Sequence, residues 1–267
     1  MGQVMLKTSE LLKDKRVVIS AGGNGIGAAM AKMFSQAGAR VASFDIDDKN
    51  FAEMSEKGHL AYAQIADASD FAQMEMFFEN AVEHLGGIDI LINNAGVAGP
   101  NAKVEDINPK DWDRTIIIDL NNAFYCSKLA IPYIKINDGG SIINIASSAS
   151  FFGFPLRSPY TAAKWGLIGL TKTMAMELGK DQIRVNAICP GSVAGPRIDG
   201  VMERDAQARN MSFEDVKESY TKQVSLKTFV EKEDVGNMAL FLASKFGSKI
   251  SGQVLGVDGH TETLTQF

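Results

Sequence analysis

The hydrophobic positions of this chain follow two different spacings. Short β-branched runs such as Val17-Val18-Ile19 and Ile90-Leu91-Ile92 are apolar at every position, whereas the longer stretches between them have a helical period. Continuous apolar runs are typical of parallel strands that are buried on both faces and joined by crossover helices. We therefore predict seven strands, at residues 16–20, 40–45, 60–65, 88–92, 141–146, 183–188 and 253–257.

This order of elements predicts an α/β fold in which a doubly wound parallel sheet is the middle of three α/β/α layers. The chain has 267 residues and shows no internal repeat, low-complexity tract or linker. Parallel sheets of this size commonly fold as one unit around one core. We therefore expect a single domain over residues 1–267.

Residues 195–223 interrupt the alternation of strands and helices. They are rich in Asp, Glu, Arg and Lys and carry no strand signal. They follow the sixth predicted strand, and open α/β sheets bind ligands at the carboxyl ends of their strands. We predict one or two mobile helices that form a substrate lid and exclude water, with an ordinary surface insertion as the alternative.

Composition and charge narrow the class of partner. Hydrophobic residues make up 45% of the chain and charged residues 22%, as in a globular protein with a large core. The formal net charge is −5, whereas nucleic acids and anionic membranes bind basic surfaces. We therefore expect a small-molecule partner, with no nucleic-acid partner, no membrane partner and no metal site.

The cysteines and the first residues of the chain indicate its compartment. Cys126 and Cys189 lie in apolar runs, which favours buried free thiols over a disulfide. Residues 1–14 lack the apolar core of a signal peptide, and no stretch is long and apolar enough to span a bilayer. These features predict a cytoplasmic protein.

A glycine-rich turn follows the first predicted strand. It reads Ser20-Ala21-Gly22-Gly23-Asn24-Gly25-Ile26-Gly27 and opens a helical stretch. Glycines let the backbone approach a pyrophosphate, and the helix N-terminus offers it unpaired N–H groups and a positive dipole end. The turn therefore predicts a dinucleotide cradle, although a plain strand-to-helix turn is the alternative.

An acidic residue ends the second predicted strand. Asp45 lies about 20 residues beyond the turn, where a carboxylate accepts hydrogen bonds from the adenosine ribose and repels a 2′-phosphate. Asn24 is not basic, and no Arg or Lys directly follows Asp45. NAD is therefore favoured over NADP. The alternative is a cluster of helix caps formed by Asp45, Asp47 and Asp48.

Three further motifs follow the later strands. Asn93-Asn94-Ala95-Gly96 follows the fourth strand, Tyr160-Thr161-Ala162-Ala163-Lys164 opens a helix, and Ser147 stands thirteen residues before Tyr160. Together with the glycine-rich turn they resemble the signatures of the classical short-chain dehydrogenase/reductase family, over nearly the whole chain. The resemblance implies a Rossmann fold and an NAD-dependent oxidoreductase that moves a hydride between nicotinamide and a secondary alcohol or ketone.

The chemistry of Tyr160 and Lys164 agrees with this resemblance. Side chains four residues apart share one face of a helix, so the ammonium of Lys164 favours the phenolate form of Tyr160. Tyr160 would then take the proton of the alcohol as general base, and Ser147 would hold the substrate oxygen by a hydrogen bond. A pair that merely covers a surface is the alternative.

The family pattern also implies which residues contact the cofactor. Ile183-Arg184-Val185-Asn186, Pro190-Gly191 and residues 251–259 resemble its later landmarks. Besides Tyr160 and Lys164, the implied cofactor-binding residues are Ser20, Gly22, Asn24, Gly25, Ile26, Gly27, Asp45, Ile46, Asp67, Asn93, Ala95, Gly96, Pro190, Gly191 and Val193.

Three positions depart from the family pattern. Ala21 replaces the first glycine of the turn, where its Cβ crowds the backbone while Gly22 and Gly23 restore freedom. Asp119 stands in place of a relay asparagine, and we include it in the catalytic set as a candidate for holding the relay water. Gly195 replaces a threonine that contacts the nicotinamide carboxamide in many relatives.

Two other functions compete with alcohol and ketone chemistry. The first is a catalytically silent dinucleotide-binding sensor or scaffold, because a fold does not fix a function. The intact set of Ser147, Tyr160 and Lys164 argues against it. The second is reduction of a conjugated double bond, against which the serine and tyrosine spacing favours carbonyl chemistry.

The sequence gives two sets of candidates for substrate contact. Large apolar side chains after the catalytic serine are candidates for a pocket: Phe151, Phe152, Phe154 and Leu156. Four arginines are candidates for meeting an anionic group, although most such arginines are solvated surface residues: Arg157, Arg197, Arg204 and Arg209.

Two long helical stretches, 111–135 and 160–178, carry apolar residues on more than one face. A helix that is apolar all round needs a second partner, and family members usually associate through these helices. We therefore expect a homotetramer. The residues that indicate it are Ile116, Ile117, Ile118, Ala130, Ile131, Leu167, Leu170 and Met174.

Overall fold

The computed structural model describes residues 8–137 and 139–261, so both ends of the predicted domain lie outside the described residues. The strands form one sheet, in the order β3-β2-β1-β4-β5-β6-β7. They are β1 (Arg16–Ser20), β2 (Arg40–Asp45), β3 (Tyr62–Ile65), β4 (Ile90–Asn93), β5 (Gly140–Ile145), β6 (Ile183–Pro190) and β7 (Val254–Val257).

Nine α-helices lie in the same described ranges, most of them between successive strands. They are α1 (Gly25–Gln36), α2 (Phe51–Glu56), α3 (Phe71–Leu85), α4 (Pro109–Ile116), α5 (Asn122–Ile136), α6 (Ser158–Leu178), α7 (Pro196–Arg209), α8 (Phe213–Lys222) and α9 (Lys232–Ala243). Within the described part of the chain, no helix combines the length and the apolar composition that a membrane crossing requires.

The predicted fold class is confirmed. All neighbouring strands pair in parallel, and the strand order reverses after β1, as in a doubly wound sheet. Each predicted strand is present, with its ends displaced by at most two residues. The continuous apolar runs are explained by burial, because residues 17–19 and 90–92 are almost completely inaccessible to solvent.

Two apolar layers hold the helices on the sheet. On one face, Phe34 of α1 and Leu242 of α9 pack in a single cluster with Ile19 of β1. On the other face, α3, α5 and α6 cover the sheet, and Phe77 meets Phe44 edge to face with ring centroids 4.9 Å apart. Each fully buried side chain of this size contributes about 1.5–3 kcal/mol, so both layers fix the strand edges firmly.

The predicted helical stretch over 111–135 is present and contains one π-helical turn. The structure has α4, then a π-helical turn at Ile117–Asn121, then α5. The turn carries Asp119, whose carboxylate accepts a hydrogen bond from the backbone N–H of Val97. Single π-helical turns occur frequently at functional sites.

Residues 195–223 form α7 and α8, which share a small apolar cluster that includes Met202, Val216 and Tyr220. Gly195 directly precedes α7 and has a φ of 135°. A side chain is strained at this φ, so the family's threonine does not fit this backbone.

The turn after β1 contains a strained residue. Ala21 has a φ of 53°, the left-handed conformation that glycine adopts without cost. Its carbonyl lies so close to α1 that a Cβ on Gly27 would be 2.1 Å from the Ala21 oxygen. The alanine at the first glycine position is therefore accommodated by strain, while Gly27 is required by space.

Ala21→Gly is expected to raise the free energy of unfolding by about 0.5–1 kcal/mol. The left-handed conformation costs alanine about 1–2 kcal/mol, and the freedom of glycine in the unfolded chain offsets about 0.4–1 kcal/mol of this gain. Equilibrium unfolding in urea measures the change. Gly27→Ala is the matched control and should destabilise. A less stable Ala21→Gly variant contradicts the assignment of strain.

Candidate functional site

The predicted site residues lie on loops at one edge of the sheet. The parallel strands β1, β4, β5 and β6 end at this edge, with Ser20, Asn93, Ile145 and Pro190 as their last residues. A crevice forms in doubly wound sheets where the strand order reverses, here between β1 and β4. The glycine-rich turn borders this crevice because it leaves the end of β1.

A hydroxyl joins the glycine-rich turn to the segment after β4. The buried Oγ of Ser20 accepts hydrogen bonds from the backbone N–H of Asn94 (2.8 Å) and of Ala95 (2.9 Å). The Asn94 side chain donates in return to the carbonyls of Ser20 and Ala21, each at 3.0 Å. The two predicted cofactor segments therefore form one rigid unit.

The turn and the start of α1 have the shape of a pyrophosphate cradle. Asn24 precedes α1 and makes no side-chain cap, so the first N–H groups of the helix are free of a side-chain partner. A Cβ on Gly22 would lie 2.2 Å from the Oγ of Ser43. Gly25 has a φ of 55° and open space around it. Backbone and helix dipole together suit a diphosphate.

Asp45 lies beside this turn and does not cap a helix. Its Oδ2 accepts the N–H of Gly23 at 3.0 Å, and its Oδ1 accepts the N–H of Asp47 at 3.3 Å. The helix α2 begins after Asn50, so the alternative of an Asp45 helix cap is excluded. Ile46 follows with 64% of its surface exposed, an apolar side chain at the rim of the cradle.

The remaining predicted cofactor residues lie on either side of the crevice. Asp67 accepts two hydrogen bonds from Ser69, each at 2.8 Å, in the loop after β3. On the far side, the N–H of Gly191 donates to Val257 at 3.0 Å, and Val193 forms a bridge with Val230. The contacts of these residues with a cofactor stay a prediction.

The side chain of Asn93 is committed to the interior of the fold. It is buried, and its Nδ2 donates to Asn144 at 2.8 Å and to Ser127 at 3.1 Å. Asn144 in turn donates to Thr171 at 2.8 Å. This network joins β4, β5, α5 and α6. The side chain of Asn93 therefore stabilises the sheet and does not line the crevice.

The ammonium of Lys164 is buried beside Tyr160. Lys164 is only 3% exposed, and its Nζ donates to the carbonyl of Ile145 at 3.1 Å. The Nζ lies 5.6 Å from the centre of the Tyr160 ring. The alternative of a pair that merely covers a surface is therefore excluded, because the side chain of Lys164 is buried.

Ser147 is partly exposed, and its Oγ accepts the N–H of Ala149 at 3.2 Å.

Asp119 is the acid that faces this lysine. It is 1% exposed, its Oδ1 accepts the N–H of Val97 at 2.6 Å, and its Oδ2 lies 3.9 Å from the Nζ of Lys164. Burial raises the pKa of the Asp119 carboxyl, and the charge of Lys164 acts in the opposite direction. A Cβ on Gly96 would lie 3.3 Å from the Asp119 carboxylate, so glycine allows this close approach.

Arg157, one of the four arginines that are candidates for meeting an anionic group, is a neighbour of Tyr160. It is only 8% exposed, and its guanidinium carbon lies 4.9 Å from the centre of the Tyr160 ring. Its Nη2 donates to the carbonyl of Ala98 at 2.7 Å. The alternative of a solvated surface residue is therefore excluded for Arg157, while its contact with an anionic group stays a prediction. Arg157 directly precedes α6 and is not itself helical, so helical spacing does not indicate its contact with Tyr160.

The other candidates for substrate contact differ in their surroundings. Phe154 packs under the Arg157 guanidinium, 5.6 Å from its carbon, whereas Phe151 is exposed. Arg197 and Arg204 are exposed on α7, and Arg209 forms an ion pair with Asp205 at 3.2 Å.

Comparisons with known proteins agree with the fold and the motifs. A family profile described as Enoyl-(Acyl carrier protein) reductase matches residues 20–260. A D-beta-hydroxybutyrate dehydrogenase of Rhizobium meliloti is 34% identical over 92% of this chain and 97% of its own length. A trans-4-hydroxycyclohexanecarboxylate dehydrogenase of Sinomonas cyclohexanicum is 36% identical over 96% of this chain and 95% of its own.

A solved structure shows the same likeness in three dimensions. An NAD+-bound xylitol dehydrogenase superimposes with a TM-score of 0.89 at 27% identity, over 93% of this chain and 99% of that chain. Fold, motif spacing and relatives therefore agree, and the chain belongs to the short-chain dehydrogenase/reductase family of oxidoreductases.

Proposed function

We propose that this protein is an NAD-dependent oxidoreductase that transfers a hydride between nicotinamide and a secondary alcohol or ketone, with Tyr160 as the acid/base. The observation that carries the proposal is the buried ammonium of Lys164, 5.6 Å from the centre of the Tyr160 ring. The buried cation thus lies beside the phenol that would exchange a proton with the substrate. Two relatives named for hydroxy compounds, a hydroxybutyrate and a hydroxycyclohexanecarboxylate, support the class of substrate.

The residues present fit an NAD dinucleotide. The crowding around Gly22 and Gly27 leaves room for backbone alone, which brings the start of α1 within reach of a pyrophosphate. In this proposal the carboxylate of Asp45, beside the turn, would bind the adenosine ribose, and the exposed Ile46 would contact the adenine ring. NAD supplies the hydride acceptor when bound. The xylitol dehydrogenase with NAD+ supports this choice of cofactor.

The protein's own residues handle the proton. Tyr160 accepts the hydroxyl proton of the alcohol in the oxidative direction and returns one to the oxygen in the reductive direction. Ser147 donates a hydrogen bond to the same oxygen, where charge changes during the reaction. Lys164 lies beside the phenol and, in this proposal, would hydrogen-bond the nicotinamide ribose, as the resemblance to the family implies.

Asp119 takes the relay position in this proposal. Its Oδ2 is buried, has no hydrogen-bond partner in the described part of the chain and lies 3.9 Å from Lys164. A water between the two groups would hydrogen-bond both of them. The carboxylate of Asp119 would then be the group that accepts a proton passed on from Lys164.

Reduction of a conjugated double bond is the second candidate, because the matching family profile is described as an enoyl reductase. The thirteen-residue spacing of Ser147 and Tyr160 favours carbonyl chemistry, since the Ser147 hydroxyl would bind an oxygen at the reacting centre. A catalytically silent sensor is disfavoured, because it has no use for a buried lysine charge beside a tyrosine.

We also propose that residues 195–223 act as the lid of a single domain. α7 starts directly after the crevice edge of β6, and Tyr220 of α8 is close enough to Arg157 for the two groups to influence each other electrostatically. Closure of these helices over Tyr160 would exclude water during hydride transfer.

A homotetramer is part of the proposal, but the indicating residues need correction. Ile118, Ala130, Leu167 and Met174 lie in the protein's own core and offer no surface to a partner. The outward apolar side chains of these helices are Phe124, Trp165, Ile136 and Met176.

The buried free thiols of Cys126 and Cys189 support a reducing compartment such as the cytoplasm.

Tyr160→Phe is expected to lower kcat at least about 100-fold, the lower end for general acid/base catalysis, with little change in NADH affinity. Lys164→Ala should lose both. Steady-state turnover and NADH fluorescence titration on each variant measure the two effects. Tyr133→Phe removes a phenol from α5, away from the site, and is the control. Near-normal turnover by Tyr160→Phe would sink the assignment and make Asp119 the next candidate base.

The unaltered protein should prefer NAD to NADP, and Asp45→Ala should reduce that preference at least about tenfold, which corresponds to about 1.4 kcal/mol. The reason is that removal of the carboxylate removes its repulsion of a 2′-phosphate. Dissociation constants for NADH and NADPH give the ratio. Asp48→Ala changes the same charge at an exposed position nearby and should leave the ratio unaltered. Equal binding of both cofactors by the unaltered protein refutes the proposal.

Light scattering at micromolar concentration should give four times the mass of the chain. Trp165→Glu should lower that mass, because a charge on the outward face of α6 must be desolvated in an interface. Met211→Glu, on the loop between α7 and α8, is the control and should assemble normally. A monomer for the unaltered protein contradicts the proposed assembly.

A further inference from the structure

Arg157 is a buried cation that forms no ion pair with an acid of the described residues. It is 8% exposed, and its Nη2 donates to the carbonyl of Ala98 at 2.7 Å. Its buried Nε has no hydrogen-bond partner within the described residues. Buried charges are normally paired, because removal of an ion from water costs several kcal/mol. The guanidinium of Arg157 therefore lacks the partner that a buried charge normally has.

The acids in this part of the site do not pair with Arg157. Asp119 feels the charge of Arg157, but its Oδ1 accepts the N–H of Val97 and its Oδ2 lies 3.9 Å from the Nζ of Lys164. Asp205 of α7, which acts on Tyr220, forms an ion pair with Arg209 at 3.2 Å. Within the described residues the charge of Arg157 is therefore left for a group from outside the chain.

The other side chains around Arg157 add positive charge or neutral hydrogen-bonding groups. Arg197 and Arg204 of α7 are close enough to disfavour its charged form, and the phenols facing it are Tyr160 of α6 and Tyr220 of α8. Burial lowers the pKa of the Arg157 guanidinium, and these two arginines lower it further. An anion bound beside Arg157 would act in the opposite direction, because it favours the charged guanidinium.

We propose that the substrate of the reaction proposed above carries an anionic group, a carboxylate, sulfonate or phosphate, which binds Arg157 under the lid. This inference rests on the proposed function and names its substrate class. The guanidinium carbon lies 4.9 Å from the centre of the Tyr160 ring, so a group on Arg157 is held next to the reacting hydroxyl. A planar guanidinium suits an oxyanion because it donates several parallel hydrogen bonds.

The exposed arginines of α7 have a separate part in recognition. The side chains of Arg197 and Arg204 make no hydrogen bond and no ion pair within the described residues, and both lie on the helix that follows Gly195. Their charges raise the local concentration of anions at the entrance and favour closure of the helix when an anion is bound. Arg157 then fixes the orientation of the substrate.

The test compares short hydroxycarboxylates and hydroxysulfonates with neutral methyl esters of the same hydroxycarboxylates. The unaltered protein should oxidise the acids with a kcat/KM about 10–100-fold above that for the esters, the range of one charge-assisted hydrogen bond. Arg157→Met should remove this ratio mainly through KM while turnover of the esters stays within a few-fold. Arg157→Lys should retain part of it. Arg114→Met removes an equal charge from the exposed surface of α4 and should change nothing.

A binding measurement separates the proposed anion site from the proposed function. With NADH present, the acids should raise the thermal unfolding temperature of the unaltered protein more than the esters do, and Arg157→Met should abolish the difference. If binding shows this pattern and no compound is turned over, the proposed function fails while the anion site stands. If esters match acids in binding, or Arg157→Met weakens acids and esters equally, Arg157 only tethers the Ala98 segment and the anion site is refuted.

Discussion

The buried charge of Lys164 is the constraint on which the rest of the site depends. Its ammonium is held by the carbonyl of Ile145, the carboxylate of Asp119 and the ring of Tyr160. An ammonium without these neighbours would cost several kcal/mol to bury. The end of β5, the π-helical turn and α6 must therefore be assembled together, and correct packing of all three is a condition for a reactive phenol.

The segment after β4 joins this charged centre to the dinucleotide cradle. Asn94 and Ala95 bind the Ser20 hydroxyl at the end of β1, and the N–H of Val97 binds Asp119. These few residues therefore connect the turn that suits a pyrophosphate with the acid that faces Lys164. A displacement of either half is transmitted to the other through backbone hydrogen bonds, which are short and directional.

The sequence predicts features that repeat along the chain better than contacts made through space. Strands buried on both faces leave continuous apolar runs, and Tyr160 and Lys164 share a helix face by their spacing alone. The burial of Arg157 depends on residues from distant elements, which local sequence does not reveal. Apolar composition also could not separate Leu167, which packs inward, from Trp165, which points outward on the same helix. The sequence did mark Ala21 as crowded, but not that the crowding takes the form of a left-handed backbone, which alanine rarely adopts.

The π-helical turn at Ile117–Asn121 offsets the faces of α5 from those of α4 by a fixed angle. An α-helix turns by about 100° per residue, so the number of residues in this turn sets the direction of Asp119 relative to the face that α5 packs on the sheet. That face keeps Cys126, Ala130 and Ile134 in the core. Removal of one residue from the turn would consequently rotate the acid away from Lys164 or the packing face of α5 away from the sheet, even though every side chain in contact with Lys164 were kept.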